Sequence, residues 1–124
     1  MNLTALWQVG LAGGAGALAR FVVDGTLRAR IASRVPAGTV IINITGSLLL
    51  GILTGLVLFH GAPAVLTLVA GTGFCGGYTT FSTASFETVR LLQTGEFRAA
   101  GTNLVVTLAG ALAAAGAGLA LASL

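Results

Sequence analysis

Four long apolar stretches, Leu3 to Val23, Ala37 to Phe59, Pro63 to Leu92 and Ala99 to Leu124, leave this chain few ways to fold. Each can cross the roughly 30 Å hydrocarbon layer of a bilayer, which takes about 20 apolar residues in a helix. In lipid the backbone must satisfy its own hydrogen bonds, so single segments of this length become helices. The expected fold is all-α and integral to the membrane: four transmembrane helices in one domain over residues 1–124. Composition agrees, with 56% hydrophobic and 7% charged residues and a mean hydropathy of +1.00. Met1 to Val23 starts without charge and has the length of a span, so it is expected to stay as a helix and not to be cleaved as a signal peptide. The expected location is multi-pass in the plasma membrane, the inner membrane of a cell that has two.

Several function classes drop out. The basic groups are six arginines with no lysine and no interleaved aromatics, which gives no support to nucleic-acid binding. Cys75 is alone, so neither a disulfide nor a thiolate metal site can form within the chain, and it reads as a small buried hydrophobe. His60 falls in a turn without a ligand partner. No constellation of His, Cys and carboxylates exists to carry catalysis, so an enzyme is not expected.

The connections are Asp24 to Pro36 with Arg28, Arg30 and Arg34, the turn His60 to Ala62, and Gln93 to Arg98 with Gly95, Glu96 and Arg98. Loops one and three share a face and hold all the loop arginines. The positive-inside rule puts them in the cytoplasm and both termini outside. Trp7 reads as an interfacial anchor, whereas Tyr78 lies too deep for one and has no assigned role.

Among 19 glycines, Gly10 with Gly14, Gly51 with Gly55 and Gly73 with Gly77 recur at intervals that let helices approach closely in lipid. Gly71, Gly73, Gly76 and Gly77 also cluster in the middle of the third stretch and run into Thr79 and Thr80, residue types that weaken a helix. The third helix is therefore expected to be broken near the midplane. Backbone groups freed there are tolerated only where they line a cavity or hold an ion, which makes the break a candidate ion site.

Polar residues concentrate in one membrane half, with only scattered exceptions such as Gln8, Thr54, Thr67 and Thr72 in the other. Arg20, Asn43, Thr45 and Ser47 lie near the loop-one ends of their helices; Thr79, Thr80, Ser82, Thr83, Ser85, Glu87 and Arg90 approach loop three, and Asn103 and Thr107 leave it. One chain thus offers a polar path halfway across. A second chain related by a two-fold axis in the membrane plane would continue it, so an inverted dimer is expected. The plainer alternatives are hydroxyls bonded back to their own helix and asparagines that join helices. For Arg20 the alternative is snorkelling to the interface, since an arginine at the bilayer centre costs about 2.5 to 3.5 kcal/mol.

Three segments resemble a known family. Gly13 to Phe21 (GGAGALARF) and Gly38 to Gly51 (GTVIINITGSLLLG) are similar to the first two helices of the CrcB/Fluc fluoride channels, and Gly73 to Val89 (GFCGGYTTFSTASFETV) resembles their glycine break with its threonine and phenylalanine segment. Asn103 and Thr107 fall where the family has a polar pair. The resemblance implies an inverted dimer in membrane lipid that exports cytoplasmic fluoride passively, with a structural sodium ion at its centre held by the backbone carbonyls of Gly76 and Thr79. It implies a fluoride path past Asn43, Phe81, Ser82, Thr83, Asn103 and Thr107, with Arg20 at the vestibule. One departure stands out: the family pattern TTFSTF has Ala84 in place of its second phenylalanine. The next aromatic, Phe86, points roughly 200° further round the helix.

A small four-helix proton-coupled exporter of drugs or cations is the alternative. It needs a carboxylate near the midplane, and Asp24, Glu87 and Glu96 all lie elsewhere. A structural or holin-like packing subunit would not need the polar half-path. The arginine bias toward loops one and three, together with Ala84, leaves both a homodimer and a heterodimer with a related chain of opposite bias open.

Overall fold

The computed structural model describes residues 1–124, and every regular element is a helix. Helix α1 spans Leu3–Arg30 and α2 spans Ala37–His60. The third span contains α3 (Ala64–Leu66), a π-helical segment (Thr67–Cys75), α4 (Gly76–Tyr78) and α5 (Phe81–Gln93); α6 (Phe97–Ala122) completes the chain. Counted as spans, these make four helices long and apolar enough to cross a membrane.

The ends differ from those hydropathy suggests. Helix α1 continues past Val23 to Arg30, so Arg28 and Arg30 sit on its last turn and not in a loop. An ion pair spanning one turn supports this water-side extension: Arg28 Nε donates to Asp24 Oδ2 at 2.8 Å. Hydropathy detects lipid contact and not helicity, so it stops too early. Helix α2 includes His60 and is closed by Gly61 at φ +66°, a left-handed position that glycine takes without cost. Far from lacking a partner, the His60 ring places Nε2 2.6 Å from the Ala122 carbonyl and ties the ends of α2 and α6 together. Helix α6 starts at Phe97, before the expected Ala99, with the Ala100 amide bonded to the Glu96 carbonyl at 2.9 Å. Loops one and three meet through Arg34 and Glu96 at 3.2 Å.

In the extension of α1, Gly25 is exposed and a methyl added there would meet nothing within 4 Å. Gly25→Ala is expected to stabilise the protein by about 0.5–1 kcal/mol, because glycine loses the most backbone entropy in a helix. An upward shift in the thermal midpoint of the detergent-solubilised protein checks this.

Only 19 of 124 residues are buried, so close helix approach, more than apolar burial, must hold the bundle together. Helix α1 packs along the π-helical segment and α4, and α2 packs along α6. At the first crossing Gly16 lies against the Phe74 carbonyl and the Tyr78 amide, while Gly77 lies against the Gly13 carbonyl. At the second, Gly51 lies against the Ala115 carbonyl and Gly118 against the Leu48 carbonyl. Gly10 and Gly14 share the same sequence spacing yet are exposed and meet nothing within the chain. Spacing alone does not say which face of a helix has a neighbour.

The third span bends where α4 gives way to α5. Thr79 is extended at φ −77°, ψ 161°, as is Thr80 at φ −148°, ψ 121°. Just upstream, the wide turns of Thr67–Cys75 bring small residues against α1, with Gly73 touching Ala12 and Val9. Such π-helical turns are rare and costly on their own.

Candidate functional site: a polar groove beside the bend

A chain that leaves helical geometry inside lipid strands its amide and carbonyl groups, each worth several kcal/mol if left unpaired. At Thr80 this is met by one side chain from α2. The Thr80 amide donates to Asn43 Oδ1 at 2.8 Å, and Asn43 Nδ2 donates to the Thr80 carbonyl at 2.9 Å. The Asn43 amide acts as a neighbouring strand would, and with 7% of its surface exposed it makes these bonds out of water. The Thr80 hydroxyl caps α5: it accepts from the Thr83 amide at 3.1 Å and donates to Thr83 Oγ1 at 3.0 Å. Thr79 Oγ1 turns back to the Cys75 carbonyl at 2.8 Å. The carbonyls of Gly76 and Thr79 accept no backbone hydrogen bond, because the amides that would reach them in a continuous helix are engaged elsewhere.

Beside the bend a groove of ≈ 790 Å³ runs between α2, the third span and α6. Asn43, Gly76, Thr79, Phe81, Asn103 and Thr107 all line it, so six of the residues singled out in the sequence come together there. The Phe81 ring is 87% exposed. Asn103 is fully buried and donates through Nδ2 to Thr88 Oγ1 at 2.8 Å. Its Oδ1, and the hydroxyl of Thr107 one turn along α6, are buried without a partner.

A second hollow of ≈ 260 Å³ is lined by Arg20, Phe21, Asp24, Thr39 and Thr83. Thr80 belongs to the walls of both hollows and so stands between them. Arg20 and Thr83 therefore lie on one side of the Thr80 wall and the groove residues on the other. Ser82 lines neither hollow; it is exposed, with its hydroxyl 3.4 Å from Thr80 Oγ1. Ala84 lines the groove, whereas Phe86 is 65% exposed and lines neither hollow.

Three features escape the sequence reading. Thr88 lines the groove and holds Asn103; it lies at i, i+3, i+4, i+7 spacing with Phe81, Ala84 and Ser85, a helical stripe that could have revealed it. Thr39 donates to Glu87 Oε1 at 2.5 Å, and Arg28 approaches Glu87 Oε2 at 3.8 Å while also holding Asp24, so a charged network joins α1, α2 and α5. Tyr78 has a role after all: its hydroxyl lies 3.0 Å from Thr45 Oγ1, and its ring stacks on Phe74 with centroids 5.9 Å apart.

Fold and groove together define a multi-pass α-helical membrane protein whose polar groups collect along the flank of its bundle. Residues 7–119 match the family described as CrcB-like protein, Camphor Resistance (CrcB), and the chain belongs to that family. It is 54% identical over 111 residues to a Leifsonia xyli protein named Fluoride-specific ion channel FluC 1, covering 90% of this chain and 81% of that one. A Cutibacterium acnes protein named Fluoride-specific ion channel FluC 2 is 55% identical over 89 residues, 71% of this chain and 72% of its own. A Syntrophotalea carbinolica protein named Fluoride-specific ion channel FluC is 44% identical over 118 residues, 94% of this chain and 96% of its own.

Proposed function

We propose that this chain is one subunit of a fluoride-selective channel through which fluoride leaves the cytoplasm passively, without catalysis. The observation that carries the proposal is similarity along nearly the whole chain to proteins named for fluoride conduction, 54% over 111 residues in one case and 44% over 118 in another. The groove supports it. Fluoride is small and strongly hydrated, so a path for it must replace water with amide, hydroxyl and aromatic-edge contacts that attract without trapping. The residues assigned to that path are Asn43, Phe81, Ser82, Thr83, Asn103 and Thr107, with Arg20 at the vestibule.

A groove with unpaired buried polar atoms is unstable against lipid, which supports a covering second chain. The polar half-path favours an inverted partner, with the bend of the third span near the midplane on the two-fold axis. The carbonyls of Gly76 and Thr79, free of backbone bonds, are fitting ligands for a structural sodium ion there. Alkali cations are held by such carbonyl oxygens, and two from each chain would bind it jointly. The ion would supply a fixed positive charge; the chain's own contribution is to hold two bare carbonyls at a bend that Asn43 maintains.

Two features favour a related but different chain as partner. Arg28, Arg30, Arg34 and Arg98 all lie at one end of the bundle, a bias that favours a single orientation. Ala84 leaves the groove without its second ring, and Phe86 does not replace it. The test is fluoride efflux from liposomes, with a cysteine placed near each terminus to read orientation. The protein, with its partner where one is required, passes fluoride and not chloride. Equal chloride flux overturns the function, and efflux from this chain alone with termini on both sides overturns the different partner.

A further inference from the structure

We propose that Thr88 is a positioning residue for Asn103, and that the two form a two-position hydrogen-bond switch in the ion path. This rests on the channel function proposed above. Thr88 Oγ1 donates its single proton to the Ala84 carbonyl at 2.8 Å, so toward Asn103 it can only accept. That fixes the orientation of the Asn103 amide: Nδ2 faces Thr88 at 2.8 Å, and Oδ1 is left buried without a donor. Thr88, Ala84, Asn103 and Thr107 all line the groove.

An amide held this way offers an acceptor, which repels an anion and suits a water molecule. A fluoride ion needs donors. The required change is small: the Thr88 hydroxyl swings its proton from the Ala84 carbonyl to Asn103 Oδ1 as the amide turns over, and both N–H bonds of Nδ2 become free for the ion. Ala84 lies inside α5, so its carbonyl keeps a place in the helical ladder when the side-chain bond is withdrawn. Each position satisfies the hydroxyl and one end of the amide; only the end left unpaired changes, Oδ1 in this structure. The arrival of an anion favours the donor position and its departure the acceptor position, so the ion is attracted without a permanent tight site.

The structural alternative is that Thr88 merely joins α5 to α6. Fluoride efflux per assembled channel, at dimer content matched by size-exclusion chromatography, separates the two. Thr88→Val keeps the shape and removes the hydroxyl, leaving the turned-over amide oxygen facing methyl groups. It is expected to slow efflux about tenfold, the scale of one buried hydrogen bond. Thr88→Ser, which keeps both donor and acceptor, is expected to restore most of the rate. Should Thr88→Val fail to assemble, Thr88→Ala, which cannot crowd the groove, is measured in its place. Wild-type efflux from the hydroxyl-free variant, or Thr88→Ser as slow as Thr88→Val, overturns the switch while the channel function stands. A wild-type protein that passes no fluoride in any pairing overturns the channel function itself.

Discussion

Asn43→Asp is expected to abolish fluoride efflux and to lower the thermal midpoint of the protein at the same time. The Asn43 amide gives one donor and one acceptor to the peptide groups of Thr80, at 2.9 and 2.8 Å. A carboxylate can still accept from the Thr80 amide, but it sets its other oxygen against the Thr80 carbonyl, acceptor against acceptor. Losing one buried bond leaves an orphaned group at about 1–3 kcal/mol, more when a charge is involved. The added negative charge also stands beside the proposed path of an anion. A loss of efflux with an unchanged melting curve would assign Asn43 to the ion path alone. Undiminished efflux would remove it from the ion path, and an unchanged melting curve would show that the clamp does not stabilise the fold. Paired measurements of liposome flux and thermal unfolding read both effects.

Gly77→Leu is expected to prevent α1 from packing on the third span. A Cβ at Gly77 would overlap the Gly13 carbonyl and press on the Ala17 amide, and these are backbone atoms that cannot rotate aside. Overpacking a tight contact costs typically about 1–3 kcal/mol, and more where no side chain can yield. The helices must separate, and the Gly16 contact with Phe74 and Tyr78 is lost with the Gly77 one. Membrane yield and monodispersity in detergent should collapse. Gly25→Leu, at a position where a Cβ meets nothing, should leave both unchanged. Equal yields from the two variants would show that the α1 crossing does not hold the bundle together.

The helical class and the number of spans were legible because hydropathy responds directly to lipid, and the four apolar stretches reappear as the four spans. Helix ends were not, because the Asp24–Arg28 pair supports α1 through a local bond in a region that hydropathy reads as loop. The groove was partly legible. Asn43, Asn103 and Thr107 stand out as polar residues in one membrane half, Phe81 is marked only by the family resemblance, and the four do converge. The bonds they make were hidden, since Asn43 reaches a backbone 37 positions away and the orphaned oxygen of Asn103 depends on where Thr88 sends its proton. Glycine spacing shows the same limit: Gly73 and Gly77 meet α1, whereas Gly10 and Gly14, spaced alike, meet nothing in the chain.

The clamp between Asn43 and Thr80 also bears on the order in which the protein is made. A ribosome releases α2 before the third span, so the side chain that will satisfy the Thr80 amide and carbonyl is already in the bilayer when that backbone arrives. The third span can enter as an ordinary helix and bend only when Asn43 is beside it, so its two peptide groups need never face lipid bare. A circular permutant that begins at the turn after His60 reverses this order. Its third span must wait, either straight or with stranded polar groups, until α2 follows. The natural direction of synthesis thus shelters the bend at its most vulnerable moment, and the chain's topology carries its own assembly schedule.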